Sequence, residues 1–453
     1  MGDATPEQLR EGLARACSRV GLSSLSEPTR LTGGATMESW RFEATGPEGP
    51  GAFVLRRAPS LEFMEDRPFG HDVEAAIIRA ARGAGVTAPE ITVELEPDDG
   101  IGSGFVMQAL PGTPDPKQIL AMDRPDALLR EVARDLARIH SLKRGDVPDA
   151  VPVMDTRTAI ADLRQQFIDS GGDRPIIALG LKWLEDNCPP PASEPVLIHG
   201  DYRMGNLLAQ DGRLTGVLDW ELAHLGDAHE DLAFGCMAVW RFARYDRPAL
   251  GLGSLGDYFS AYEAESGVTV DRERFRYWLI HRTVWWALGC LRMAHHWRSG
   301  QDRMLERVVI SRRTSEQELD LLMLLEEEAP EHERAARVDP AITPDAQSGE
   351  STSGELAMAI SEWLEGIKPQ MHGHDRFQLA VARNALGMIT RDDAIVPQAS
   401  DGELADDILA GEAGLSTPGL LAELKEAALE KLTVDVPKYP ALEAAWVKWT
   451  GER

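Results

Sequence analysis

The sequence has little cysteine: Cys17, Cys188, Cys236 and Cys290 are scattered over 453 residues with no C-x-x-C pair. That pattern excludes a disulfide framework and a cysteine-built zinc site, and it fits free thiols in a reducing compartment. No stretch approaches the ~18 uninterrupted apolar residues of a membrane-spanning helix. The opening MGDATPEQLREGLARACSRV reads as an amphipathic helix and not as a secretory signal. A cytoplasmic protein with no membrane partner is expected. Positive charge is also short, with 47 basic against 74 acidic residues and a net charge of -27. Repulsion at that charge argues against a nucleic-acid partner, whereas a nucleotide needs only a few cations in one pocket. With 43% hydrophobic and 27% charged residues, global disorder is excluded. The length predicts about two to four compact units.

Residues 7–20 pattern as a leading helix, and TRLTGGATMESWRFEA (29–44) as strand, glycine turn, strand, with Trp40 and Phe42 on one face. A Gly-Pro turn at 46–51 leads into the strand AFVLRR (52–57), and 71–83 has helical apolar spacing. Segments 89–96 and 103–109 complete an antiparallel set of about five strands around one helix. LPGTPDP (110–116) marks a boundary. Helical patterns follow at 125–141, 157–169, 173–187, 227–244, 254–266, 271–298 and 312–328, interrupted by two strand-like runs, VLIHGD and GVLDWE. A polar stretch with three prolines precedes a last helical region. The division expected is therefore 1–110, 111–330, a linker at 331–353, and a helical unit at 354–453.

The chemistry concentrates in IHGDYRMGNLLAQDGRLTGVLDWE (198–221), where Asp201, Asn206 and Asp219 fall at fixed spacing. A carboxylate beside a hydroxyl can orient it and take its proton during attack on phosphorus. A carboxylate and an amide oxygen on flanking elements can hold a hard divalent cation. Phosphoryl transfer needs little more from side chains, because positioning and charge neutralisation supply most of the catalysis. A tight turn with a strand-end cap would explain the tripeptide His199-Gly200-Asp201 alone, but not the whole spaced set.

With His-Gly-Asp at its catalytic loop, the chain resembles the aminoglycoside phosphotransferase family of small-molecule kinases, over about residues 28–300. The resemblance implies an α+β, two-lobed protein-kinase-like fold, with a small antiparallel-sheet N-lobe, a mostly helical C-lobe and here a small all-α C-terminal domain. It implies ATP and magnesium in the cleft, with Asp201 as base and Asn206 and Asp219 as metal ligands. LTGGATMESW resembles the family's glycine loop, which places Gly33 and Gly34 over the ATP phosphates; an ordinary hairpin turn explains the pair equally. Arg56 stands where a strand lysine usually grips the phosphates, and Glu74 where its pairing glutamate is expected. Arg57 points to the opposite strand face, and either arginine could instead be a solvated surface charge. Leu-Arg at this strand resembles the branch attached to, or encoded near, acyl-CoA dehydrogenases, and the tail resembles a helical module found with that branch.

GFVMQALPG (104–112) resembles the hinge, with the backbone of Gln108 to Leu110 as the adenine contact; ordinary strand pairing explains the same run. Arg203 falls where a cation would face the transferred phosphoryl group, or could form a salt bridge to a surface carboxylate. Asp231 matches a position that braces the catalytic loop. The aromatic helix 275–297, with Phe275, Trp278, Trp285, Trp286 and Trp297, reads as core or as a wall of the acceptor pocket. Its His281, His295 and His296 lack a convincing metal spacing. Three functions follow: a kinase of a small hydroxylated molecule, favoured acceptor a hydroxyacyl-CoA or hydroxy acid; an aminoglycoside kinase; or a non-catalytic kinase-fold module. The C-terminal helical unit is open to a protein partner or to dimerisation.

Overall fold

Glycine-bounded alternation of apolar residues builds the first layer of the molecule. The structure, a computed structural model, describes residues 5–31, 37–58, 64, 67–302, 304–340, 353–393 and 400–451. Strands β1 (Thr29–Arg30), β2 (Glu38–Gly46), β3 (Gly49–Ala58), β4 (Ile91–Glu94) and β5 (Ser103–Gln108) form one antiparallel sheet in the order β1-β2-β3-β5-β4. Phe42, Ala44 and Leu55 turn inward at the strand period of two and meet Leu9, Leu13 and Ala16 of helix α1 (Pro6–Ser18). Thr5 and Gln8 close a capping box at the start of α1, with Pro6 in the first turn. Helix α2 (His71–Gly83) packs its Ala75, Ile77, Ile78 and Ala81 face under the sheet and toward the helical lobe.

The helical lobe contains α3 (Pro116–Leu120), α4 (Pro125–Ile139), α5 (Thr156–Asp169), α6 (Pro175–Asp186), α7 (Ala228–Phe234), α8 (Leu255–Ser266), α9 (Arg272–Ser299), α10 (Leu305–Ser311), α11 (Thr314–Leu325) and α12 (Glu331–Arg334). Four short strands are set into it: β6 (Val196–Ile198), β7 (Leu207–Gln210), β8 (Arg213–Val217) and β9 (His224–Gly226). The two apolar runs seen in the sequence do not pair with each other. β6 pairs with β9 and β7 with β8, so the loop between β6 and β7 is held at both ends.

The helix expected over 227–244 is broken. It stops at Phe234, and a 3-10 turn covers Ala238–Arg241 before Phe242 and Ala243 adopt left-handed φ of 45° and 72°. The physical reason is packing at Gly235, where a Cβ would lie 2.7 Å from the Tyr202 carbonyl and 2.8 Å from the Leu250 side chain. The run 312–328 likewise starts within a turn after α10 and is α-helical only over α11.

Five further helices follow: α13 (Ser353–Ile367), α14 (Gly373–Asp392), α15 (Gly402–Ala410), α16 (Leu420–Asp435) and α17 (Pro440–Thr450). α13 packs on α14, while α15 lies on α6 and both α16 and α17 lie on α11. Leu421, Leu429 and Leu432 of α16 share one apolar core with Leu319, Leu321 and Leu322 of α11. A buried charge cluster seals this contact: the Lys425 ammonium, fully buried, lies 3.2 Å from Glu326 and 5.3 Å from the Trp449 ring centre. Trp449 Nε1 donates to the same carboxylate at 3.0 Å, so the buried ions are paired and not orphaned.

Because the core is continuous, Leu429→Ala should destabilise the whole helical lobe. The expected loss is about 3 kcal/mol from lost burial plus an unfilled cavity. Urea titration followed by tryptophan fluorescence should show one shifted transition. A separate early transition with an unmoved main one would mean that α16 folds independently.

Candidate active site

The loop between β6 and β7 owes its shape to backbone donors that must be satisfied in a dry interior. Gly200 takes φ 84°, and a Cβ there would overlap the Leu222 carbonyl, so only glycine fits the turn. From α7, the fully buried Asp231 carboxylate accepts from the His199 amide at 2.6 Å and the Gly200 amide at 2.9 Å. His140, itself fixed against the Tyr262 hydroxyl at 2.8 Å, lies 3.3 Å from Asp231. Burial pushes the Asp231 carboxyl upward, but His140 and the His199 amide hold it below the usual carboxylate range. Asp231 therefore braces the loop as a structural anion.

His199 reads as a neutral ring with an assigned tautomer. Its Nδ1 accepts from the Asp201 amide at 3.2 Å, which leaves Nε2–H to donate to the Leu218 carbonyl at 3.0 Å. Burial lowers its pKa. The loop is thus tied to the end of β8, and the Leu218 amide returns a bond to the Asn206 carbonyl at 2.8 Å. This stitching carries the next residue, Asp219, to the loop's open side. Asp219 has φ 69°, a conformation that costs a non-glycine residue roughly 1 kcal/mol or more and is held by the surrounding bonds.

The side chains converge. Asn206 Nδ2 donates to the Asp201 carboxylate at 2.6 Å and to the Asp201 carbonyl at 3.0 Å, so its amide nitrogen is committed and its oxygen is the remaining ligand atom. Arg203 Nε lies 2.7 Å from one Asp201 oxygen and Nη2 3.2 Å from the other. Its guanidinium also lies 4.2 Å from the Trp240 ring centre. Burial pushes the Asp201 carboxyl up to about 6, against the pull of Arg203. Arg203 is thus ion-paired with Asp201 itself and not with a surface carboxylate.

Arg56, on β3, bridges the lobes. Its Nη2 reaches Asp219 at 2.6 Å and Glu221 at 2.9 Å, while Nε lies 3.1 Å from Glu74 on α2. Burial works against its charge, but these three carboxylates keep it protonated. Burial pushes Glu74 up to about 7, because one guanidinium shared among three acids cannot compensate each. Arg57 is buried too, bound to Glu38 and to the Ile101 carbonyl at 2.8 Å. Neither arginine is a solvated surface charge.

Gly33 and Gly34 lie outside the described residues. At the hinge, the Gln108 amide donates to Glu90 and the Ala109 amide to Ala52, both at 2.9 Å. The sheet therefore uses those two donors, and among the described residues the Leu110 amide has no hydrogen-bond partner. The Gln108 N–H is thus spent on strand pairing, and what the Gln108–Leu110 backbone offers at the hinge is the Leu110 amide and the Gln108 carbonyl.

In α9, Trp278 and Phe275 are core, whereas half-buried Trp285 and Trp286 line the approach to Trp240, with ring centres of Trp240 and Trp286 5.3 Å apart. His281 is buried against Trp278, its ring nitrogens have no hydrogen-bond partner among the described residues, and burial lowers its pKa to about 3. Among the described residues, no group of three or more His, Cys, Asp or Glu could hold a metal alone. A cavity of about 560 Å³ between Gly112, Met122 and Gln210 touches none of these side chains, and the chemistry, not the cavity, defines the site.

Several contributors escaped the sequence reading, among them His140 and Trp240. Glu221, quoted with Asp219 but given no role, shares Arg56 with it and pairs with Arg67 at 3.1 Å. Its only signal was closeness in sequence to Asp219; the left-handed turn at Asp219 brings the two carboxylates to one guanidinium. Arg282, buried on α9, pairs with Glu230 beside His224, and nothing in its local pattern marked it.

A five-stranded antiparallel sheet joined by one buried arginine to a helical lobe bearing an Asp-Asn-Asp loop defines the kinase-like phosphotransferase fold. The chain belongs to the phosphotransferase enzyme family, also called APH, whose family pattern matches residues 27–267. A solved Ralstonia eutropha structure, assigned to the aminoglycoside phosphotransferases, shares the fold with a TM-score of 0.57 at 20% identity, covering 70% of this chain and 98% of that one. Among curated proteins, acyl-CoA dehydrogenase family member 10 of Mus musculus is 28% identical over 244 residues, 48% of this chain and 22% of that protein. Family member 11 of Gallus gallus is 29% identical over 230 residues, 48% of this chain and 29% of that protein. The chain thus spans less than a third of either relative. No helix among the described residues is long and apolar enough to cross a membrane.

Asp231→Ala would strip two buried amides of their acceptor. The expected cost is about 3 kcal/mol of unfolding free energy, measured by chemical denaturation, because buried donors would be left unpaired. An unchanged midpoint would show that water or another group serves those amides.

Proposed function

We propose that the protein moves the γ-phosphoryl group of ATP to a hydroxyl of a small molecule. The observation that carries this reading is the hydrogen-bonded Asp201–Asn206 pair, tied through Leu218 to Asp219, on which the N-lobe Arg56 lands. Asp201 orients the acceptor hydroxyl and takes its proton; the oxygen then bonds to the γ-phosphorus as the bond to the bridging oxygen breaks, and ADP leaves. Arg203 fixes the Asp201 carboxylate in the plane set by its two contacts. Arg56, held by Glu74, presents a planar fork of donors to the ATP phosphates. The Leu110 amide and the Gln108 carbonyl supply the adenine edge at the hinge.

The donors present fit magnesium. Asn206 offers its oxygen because its nitrogen is committed, and Asp219 offers a carboxylate, a hard oxygen pair too small to cage an ion alone. Magnesium is commonly held this way, by one or two protein oxygens with phosphates and waters completing the shell. When bound, it would neutralise charge between the phosphates.

The favoured acceptor is a hydroxyacyl-CoA or hydroxy acid. The similarity to acyl-CoA dehydrogenase family members 10 and 11 supports it. Incubation with ATP, magnesium and a 4-hydroxyacyl-CoA panel should release ADP above background. Turnover of kanamycin or neomycin instead would replace this acceptor, and nucleotide binding without turnover of any alcohol would indicate a binding module.

Asp201→Asn should leave ATP affinity, read by calorimetry, nearly unchanged while turnover falls by a factor of about 100 or more. Equal loss of both would reassign Asp201. Arg56→Lys should raise the KM for ATP by roughly tenfold, since one ammonium cannot serve Glu74, Asp219 and the phosphates together.

A further inference from the structure

The segment after α7 carries the wall beside the catalytic aspartate, and it is not self-supporting. Trp240 lies against Arg203, which is bound to Asp201, so any shift of the 3-10 turn Ala238–Arg241 is felt one residue contact away from the reacting hydroxyl. The turn is followed by two residues with left-handed φ, Phe242 and Ala243, a backbone shape that persists only where neighbours over-determine it. Part of that determination is local: Arg241 donates to the Cys236 carbonyl at 2.9 and 2.6 Å and lies 5.8 Å from the Tyr245 ring centre. The rest comes from α11. The Tyr245 hydroxyl meets Met323 Sδ at 3.8 Å, and the turn itself packs on α11.

The face of α11 that supports this wall is held from behind by the C-terminal helices. Tyr439, in the turn between α16 and α17, donates its hydroxyl to Asp320 of α11, and both side chains are buried. Burial pushes the Asp320 carboxyl up to about 7 and the Tyr439 hydroxyl well above its ordinary value, and Arg241 opposes both shifts only in part. Helix α11 thus links the two sides: Tyr439 bonds to its Asp320, and it packs on the turn bearing Trp240, which lies on Arg203 and through it on Asp201.

We propose that Tyr439 is a positioning residue: its hydroxyl, through Asp320, fixes the wall formed by residues 238–245, so that the C-terminal helices set how tightly the phosphoryl acceptor is held. This rests on the phosphotransfer reading above for what the wall contacts, but not for the mechanical link. It gives the C-terminal helices a part in acceptor binding while leaving the nucleotide side, built from β3, α2 and the hinge, outside their reach.

The test uses the full chain. In Tyr439→Phe, which keeps the ring and removes the hydroxyl, the KM for the acceptor should rise about tenfold while the KM for ATP stays within about twofold. Amide hydrogen exchange should quicken over residues 236–253 and stay unchanged over 196–206. Asp320→Asn, with Tyr439 intact, retains an oxygen that accepts the Tyr439 hydroxyl and should keep most of the acceptor affinity and the slow exchange. A fall in melting temperature with both KM values and the exchange of 236–253 unchanged would overturn the proposal, leaving Tyr439 as a docking contact only. If the native protein phosphorylates no alcohol, the functional reading fails, and the exchange comparison still decides whether Tyr439 controls the wall.

Discussion

One buried guanidinium holds the two halves of the site together. Arg56 belongs to the sheet, yet its partners Asp219 and Glu221 belong to the helical lobe, and Glu74 belongs to the helix that packs between them. Three carboxylates around one cation leave a local excess of negative charge in a poorly hydrated setting, which is why burial raises Glu74 even beside an arginine. Such an arrangement favours the arrival of further positive charge, and an arginine can meet it where a lysine could not, because its fork contacts several acids at once.

The loop that bears Asp201 depends on a different economy, that of backbone donors. Gly200 supplies the turn, Asp231 takes the two amides that the turn exposes, and His199 links the loop to Leu218 through both ring nitrogens. None of these groups touches a substrate in the reading advanced above. Their effect is to hold Asp201 where Asn206 and Arg203 can fix its two oxygens, so that little reorganisation remains when the hydroxyl arrives.

The C-terminal helices extend this logic outward. Their apolar faces complete the core against α11, and their buried polar groups, Lys425, Trp449 and Tyr439, all end on acids of that helix or of the turn that follows it. Buried ionic contacts contribute little net stability but are demanding about geometry. Here they fix how one helix is presented to the turn bearing Trp240.

Much of the fold and the loop was legible in the sequence because the physics is local. Alternation and glycine turns give the five strands, a period near 3.6 gives α4, α6 and α9, and Asp201, Asn206 and Asp219 are close enough in the chain for spacing alone to link them. Arg56 and Glu74 were legible only through resemblance, since nothing local ties a strand arginine to a glutamate eighteen residues on. What only the tertiary structure decided was partnership. Arg203 turns to Asp201, the Gln108 amide is spent in the sheet, Glu221 joins Asp219 on one guanidinium, and the helix expected through 244 breaks at Gly235. Each outcome depends on which distant group lies within about 3 Å. A linear pattern specifies the face a side chain takes, whereas the desolvation and pairing of charge are settled only when the chain has packed.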